Sequence, residues 1–234
     1  MYKWLNNVLQ KEYRLIKSIR NEETLQIMVL ENISTHQRLL CKKLTGECPV
    51  YKKLINLSHP NLPIVYEAVC SDSGDSIVLE EYIDGITISD ILETGLYTEN
   101  GVICVLEQLC SVLDYLHANG IVHRDIKPEN IMVDNNGNVK LIDFNISRLV
   151  NSSKSNDTTI LGTTGFAAPE QYGIAPTDAR ADIYSLGILI NVMLTGEHPA
   201  KKLCTGPLKK VVSKCTHIDP NHRYQKCSDI IRVI

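Results

Sequence analysis

Along the first eighty residues, apolar and polar positions run in short stretches that suit strands. Tyr13 to Ile19, Leu25 to Leu30 and Arg38 to Leu44 predict the start of an antiparallel sheet. Leu62 to Cys70 and Ser76 to Tyr82 are two further β-rich runs. The segment joining them, Ser71-Asp72-Ser73-Gly74-Asp75, is a hairpin turn by composition. Between the two groups, Val50 to Leu57 predicts one short helix, closed by Ser58-His59-Pro60-Asn61.

From Asp84 onward the period changes. Val102, Ile103, Leu106, Leu109, Leu113 and Leu116 recur every three or four residues and predict a long amphipathic helix, with Gly120 as its C-cap. Val122, Ile131 to Val133 and Val139 to Ile142 are short strands, the last two joined by the tight turn Asp134-Asn135-Asn136-Gly137. Ile183 to Leu194 is apolar nearly all round and predicts a buried helix. Asn151 to Thr159 is polar and is expected to be the flexible segment, and Ser228 to Ile234 forms a short terminal helix. The pattern describes a β-rich part of about 1–83 followed by a larger, mainly helical part of about 84–234, an α+β arrangement.

Composition narrows the function classes. The 234 residues are 44% hydrophobic and 22% charged, as in an ordinary globular protein. A net charge of −3 and a pI near 6.2 give no electrostatic reason to expect nucleic acid or an anionic membrane as partner. No apolar run reaches the length of a membrane span, and Met1 to Asn7 lack the apolar core of a secretory signal, so a cytoplasmic location is expected. None of the eight cysteines forms a C-x-x-C pair. They are expected to be small buried hydrophobes in a reducing compartment and not zinc ligands.

The chemistry concentrates in His123-Arg124-Asp125-Ile126-Lys127-Pro128-Glu129-Asn130 and, after a short turn, Leu141-Ile142-Asp143-Phe144. Phosphoryl transfer from a nucleotide needs a carboxylate to orient the attacking hydroxyl, a cation on the transferred group, and oxygen ligands for magnesium. Asp125, Lys127, Asn130 and Asp143 supply that set within nineteen residues. These motifs resemble the catalytic and metal-binding loops of eukaryotic-type (Hanks-type) serine/threonine protein kinases. Gly162-Thr163-Thr164-Gly165-Phe166-Ala167-Ala168-Pro169-Glu170 is similar to the end of a kinase activation segment, and Gln171-Tyr172 after it give a compact, bacterial look.

The resemblance implies a bilobal protein-kinase-like fold that binds ATP with Mg2+ (Mn2+ being possible) and acts on Ser/Thr hydroxyls of a protein. It implies Asp125 as the catalytic carboxylate and Lys127 as the cation on the γ-phosphate. Asn130 and Asp143 would be metal ligands, and Glu81 and Ile83 would offer backbone groups to the adenine. It also implies a structural ion pair between Glu170 and Arg223, a contact of Thr163 with the catalytic loop, and hydrogen bonds from that loop's backbone to Asp182. Arg124 is a feature of kinases ordered by a phosphate on the activation loop, with Thr158 and Thr159 as candidate acceptors.

The first eighty residues depart from this pattern. Ser18 to Ile27 holds no glycine where the family has G-x-G-x-x-G over the phosphates. Asn145 stands where glycine usually follows Asp143-Phe144, and asparagine would tolerate a left-handed backbone there. Lys42 is the expected contact of the α- and β-phosphates, with Lys43 as the register alternative. Its usual partner, a glutamate on the following helix, is missing, since the corresponding position is Val50. Glu80 is expected to replace it; the alternative is a carboxylate solvated at a strand end. These losses leave open a pseudokinase, a nucleotide-binding or scaffolding module without turnover. A third reading keeps the transfer site but gives it a small-molecule or nucleic-acid-linked acceptor.

Overall fold

A computed structural model describes residues 1–150, 163–173 and 177–234. Thr158, Thr159, Gly162 and the polar stretch 151–159 lie outside the described residues. The chain forms two compact units, Met1–Asp84 and Gly85–Ile234.

The first unit begins with a helix, α1 (Tyr2–Glu12), that the strand pattern did not predict. Its buried side chains are Leu5 and Leu9, one helical turn apart, a stripe too narrow to stand out among Asn, Lys and Gln. Five antiparallel strands follow: β1 (Tyr13–Asn21), β2 (Leu25–Asn32), β3 (Arg38–Thr45), β4 (Val65–Cys70) and β5 (Asp75–Glu81), in the order β1-β2-β3-β5-β4. β4 starts later than expected because Pro63 has no amide to give a ladder. The short helix α2 (Pro49–Leu54) ends before Leu57, since Asn56 and Leu57 close tight turns onto the carbonyls of Lys53 and Leu54.

Alternation divides the sheet into two faces. Leu39 and Cys41 of β3 and Ile77 and Leu79 of β5 pack with Leu5 and Leu9 of α1 in one apolar cluster. The intervening residues, Lys42 on β3 and Val78 and Glu80 on β5, therefore share the other face. The register pairs Leu40 with Glu80 and Lys42 with Val78, which makes Lys42 and Glu80 diagonal neighbours.

In the second unit, α3 (Ile88–Thr94) and α4 (Glu99–Ala118) follow the short strand β6 (Gly85–Thr87). Gly85 is required there: a Cβ would lie 2.4 Å from the Val133 carbonyl oxygen of the neighbouring strand. By length and composition α4 could cross a membrane. Val102, Val105, Leu106, Leu109, Val112, Leu113 and Leu116 are instead buried in the core of this unit. Its polar residues interrupt any apolar run, which is why none was visible in the sequence. The C-cap is Asn119, and Gly120 lies one residue beyond it with φ +67°, the left-handed position that glycine suits.

Next come β7 (Ile121–Val122), β8 (Ile131–Asp134), β9 (Val139–Leu141) and β10 (Arg148–Leu149). β6, β8 and β9 form one small sheet, and β10 pairs with β7. Helix α5 (Ala179–Thr195) is buried along most of its length, as its all-round apolarity predicts. Among the described residues, two more helices follow, α6 (Leu208–Cys215) and α7 (Ser228–Ile231). α6 was not anticipated, although Leu208, Val211, Val212 and Cys215 show the helical spacing and are all buried.

Candidate active site

The loop after β7 is held from below by α5. Asp182 accepts the His123 amide at 2.9 Å and the Arg124 amide at 2.7 Å, and its carboxylate also meets His117 Nε2 at 2.7 Å. Burial disfavours the Asp182 carboxylate, but the His117 hydrogen bond and the Arg124 amide outweigh it and hold the group below the usual carboxylate range. Two positive-φ residues bend the backbone here, Arg124 (φ 71°) and Asp143 (φ 65°). The left-handed residue in the second bend is thus Asp143. Asn145, expected to take that conformation, keeps a negative φ.

This scaffold sets up a dense polar cluster. Asp125 Oδ1 accepts the Thr163 hydroxyl at 2.7 Å, and Asp125 Oδ2 accepts Asn130 Nδ2 at 2.7 Å and meets Lys127 Nζ at 2.8 Å. Lys127 also donates to Thr163 Oγ1 at 2.6 Å. Asp125 is buried, which works against its charge, yet the hydrogen bonds from Lys127 and Thr163 prevail and keep its pKa below normal. The carboxylate is therefore ionised at neutral pH, with a cation beside it. This cluster can orient a hydroxyl and offset growing negative charge next to it.

Asn130 and Asp143 are brought together by the β8–β9 hairpin. Ile131 pairs with Leu141, and the Ile142 amide donates to the Asn130 carbonyl at 2.9 Å. Asn130 spends its amide nitrogen on the Asp125 carbonyl (2.9 Å) and carboxylate, which turns its side-chain oxygen into the ligand-type atom. A carboxylate plus an amide oxygen is a hard donor set that suits Mg2+ or Mn2+.

In the first unit, Lys42 Nζ meets Glu80 Oε1 at 2.6 Å, with both side chains 3% exposed. The same ammonium donates to Tyr51 Oη of α2 at 3.0 Å. Glu80 is not solvated at a strand end. Lys43, the register alternative, faces α1 and donates to Asn6 Oδ1 at 3.0 Å. Glu47 is exposed and Val50 is buried, so the acid next to Lys42 comes from β5 and not from α2. Of the adenine-facing candidates, Glu81 ends β5, its amide donating to the Ile64 carbonyl at 2.8 Å while its carboxylate accepts the Ile64 amide at 3.0 Å. Ile83 lies two residues on and is buried. The β1–β2 turn without glycine is closed by the Glu22 amide on the Leu25 carbonyl and by Arg20 gripping the Glu22 carboxylate at 2.7 and 2.9 Å.

Arg223 binds Glu170 through both nitrogens, at 2.7 and 2.9 Å, in a fully buried pair. Sequence reasoning missed three supports. Tyr51 contacts Lys42, His117 contacts Asp182, and Gln171 donates to the Arg124 carbonyl at 2.9 Å. Asp114, His117 and Cys227 also bring their ligand atoms within 4.8 Å of one another. Their atoms already serve the fold, because Asp114 caps α7 through the Cys227 and Ser228 amides and His117 holds Asp182.

Comparison with known proteins agrees with this arrangement. A protein kinase domain model matches residues 12–231. The serine/threonine-protein kinase PknB of Mycobacterium tuberculosis is 39% identical over 61% of this chain and 24% of its own length. The serine/threonine-protein kinase PrkC of Bacillus subtilis is 32% identical over 75% of this chain and 31% of its own. A probable serine/threonine-protein kinase of Clostridium acetobutylicum is 29% identical over 94% of this chain and 36% of its own. The chain thus spans about a quarter to a third of the length of the relatives it matches. With the family model covering nearly every residue, and with relatives named as bacterial serine/threonine kinases, the chain belongs to the protein kinase domain family.

Proposed function

We propose that this chain transfers the γ-phosphoryl group of ATP to a serine or threonine hydroxyl of a protein substrate, with Mg2+ (or Mn2+) bound beside the nucleotide, in the cytoplasm. The observation that carries this reading is Asp125, ionised and hydrogen-bonded at once by Lys127, Thr163 and Asn130. Phosphoryl transfer passes through a loose transition state in which positioning and charge matter more than early proton removal. A carboxylate of low basicity suits that task. Asp125 orients the acceptor hydroxyl and takes its proton late, while Lys127 offsets charge on the transferred group.

Asn130 and Asp143 would hold the metal, which when bound neutralises phosphate charge and fixes its orientation. Lys42, kept straight by Glu80 and Tyr51, would neutralise the α- and β-phosphates, and the backbone at Glu81 and Ile83 would meet the adenine. The named activity of PknB and PrkC supports the serine/threonine assignment. The test is incubation of the purified chain with γ-labelled ATP, Mg2+ and a generic serine- and threonine-rich protein. Label should transfer with the wild type and fall to background with Asp125→Asn and Asp143→Asn. A folded wild type that transfers no more than those variants would overturn the reading.

A further inference from the structure

The eight cysteines are not equivalent. Cys41, Cys110, Cys215 and Cys227 are sealed in the core, and burial pushes the Cys41 thiol up to about 11. Cys48 and Cys70 differ from these. Cys48 is the N-cap of α2 and is buried, whereas Cys70 is the last residue of β4 and is partly exposed. Their sulfurs lie 3.7 Å apart. Closing to a disulfide bond of about 2.0 Å needs a shift of roughly 1.7 Å, within reach of small side-chain rotations. Lys52, one turn further along α2, brings its ammonium near Cys70 and favours the thiolate there. Ser76 Oγ lies 3.1 Å from Cys70 Sγ and 2.6 Å from the Gly46 carbonyl, so its one proton can serve either.

We propose that Cys70 and Cys48 are a peroxide-reactive thiol pair, with Cys70 attacked first and Cys48 resolving it into a disulfide. The Cys70 thiolate attacks one oxygen of a hydroperoxide, and the O–O bond breaks. Cys70 becomes a sulfenic acid and the other oxygen leaves as water or an alcohol once protonated. The Cys48 sulfur then attacks the Cys70 sulfur, the S–O bond breaks, and the leaving hydroxide takes the Cys48 thiol proton and departs as water. Two thiols are oxidised by two electrons and the peroxide is reduced by two.

The division of labour follows from the surroundings. Burial opposes the Cys70 thiolate, but hydrogen bonds from Ser76, the Cys48 amide and Lys52 outweigh it and bring the thiol below its usual value. Burial pushes Cys48 up. The accessible sulfur is therefore the more ionised one, and the sheltered one is its neighbour, the arrangement a redox-sensing pair needs. The cross-link would tie the start of α2 to the end of β4, three residues before Tyr51.

The experiment reads thiols and not phosphate transfer, so it stands apart from the kinase reading. The reduced chain at pH 7 is exposed to hydrogen peroxide, quenched, alkylated and mapped by mass spectrometry. A peptide pair linked through Cys48 and Cys70 is expected, with Cys70 lost at least about tenfold faster than the exposed Cys104, which serves as internal reference. Lys52→Met should slow that loss severalfold. In Cys48→Ser, dimedone should trap a sulfenic acid on Cys70. Oxidation of Cys70 no faster than Cys104, or oxidised Cys70 with Cys48 still free to alkylate, would overturn the proposal. The wild-type and Lys52→Met arms decide it even where Cys48→Ser, a change at a buried position, fails to fold.

Discussion

Two buried polar clusters carry the proposed chemistry, and they are assembled by different means. Lys42 and Glu80 sit on adjacent strands of one sheet, where the β3–β5 register alone makes them neighbours, and Tyr51 adds a contact from a short helix. Asp125, Lys127, Asn130 and Thr163 come from a loop, a 3₁₀ turn and a residue 38 positions further on, and their backbone depends on Asp182 of α5. The first cluster is fixed by sheet pairing, which holds as long as the unit is folded. The second requires several separate segments to be in place. A lysine whose acid comes from its own sheet needs no helix carboxylate to complete the pair.

The largest expected effect is chemical. Asp125→Asn keeps the shape of the second cluster but removes its negative charge, and phosphoryl transfer should fall by about 10²–10⁴-fold. Nucleotide-dependent thermal stabilisation should persist, because the first cluster is untouched. Loss of nucleotide binding in that variant would show that the two clusters are not separable as described.

The first cluster breaks differently. Glu80→Met leaves a buried ammonium without its carboxylate and should cost about 3–5 kcal/mol in denaturant unfolding. Replacing both partners, Lys42→Met with Glu80→Met, should recover most of that stability, since well-packed apolar side chains often match a buried ion pair. Nucleotide affinity should stay low in both. A Glu80→Met protein with unchanged melting temperature and nucleotide affinity would refute the idea that Glu80 replaces the missing helix acid.

A finer comparison is available at Thr163, whose hydroxyl touches both Asp125 and Lys127. Thr163→Val should lose about 1.5–3 kcal/mol of transition-state stabilisation, the worth of hydrogen bonds to charged groups. Thr163→Ser should keep most of it. Equal turnover in the valine and serine variants would mean that the hydroxyl only fills space.

The second cluster was largely legible in the sequence because its residues fall at fixed spacing in one short stretch. The hairpin that brings Asn130 to Asp143 is announced by Asp134-Asn135-Asn136-Gly137. Glu80 could be inferred only by elimination, once no helix acid was found for Lys42. Tyr51 and His117 carried no signal, since their partners are set by packing between elements and not by spacing along the chain. α1 escaped because two leucines are its whole buried face, and the nearness of Cys48 to Cys70 follows from how α2 and β4 pack.

The smallest expected effect is a pH dependence confined to the second cluster. His123 is fully buried, and burial lowers its pKa despite the opposing pull of Asp182, Asp125 and Asp143. Its ring is held neutral by its partners as well. The Asp125 amide donates to Nδ1 at 3.3 Å, so the proton sits on Nε2, which faces the Ile142 carbonyl at 3.1 Å. A second proton would put two donors face to face beside the Asp125 carboxylate. In the unfolded chain this histidine titrates near its ordinary value of about 6.5. Between that value and the lower folded one, the unfolded state binds a proton that the folded state refuses. Stability is therefore fully present above about pH 6.5 and declines as pH falls, by up to about 1.4 kcal/mol per unit from this group. Urea unfolding at pH 7.5, 6.5 and 5.5 should show that slope in the wild type, reduced by one proton's worth in His123→Gln. The same slope in both proteins would mean that His123 is not held neutral, and the support it gives the Asp125 backbone would have to be sought in Asp182 alone.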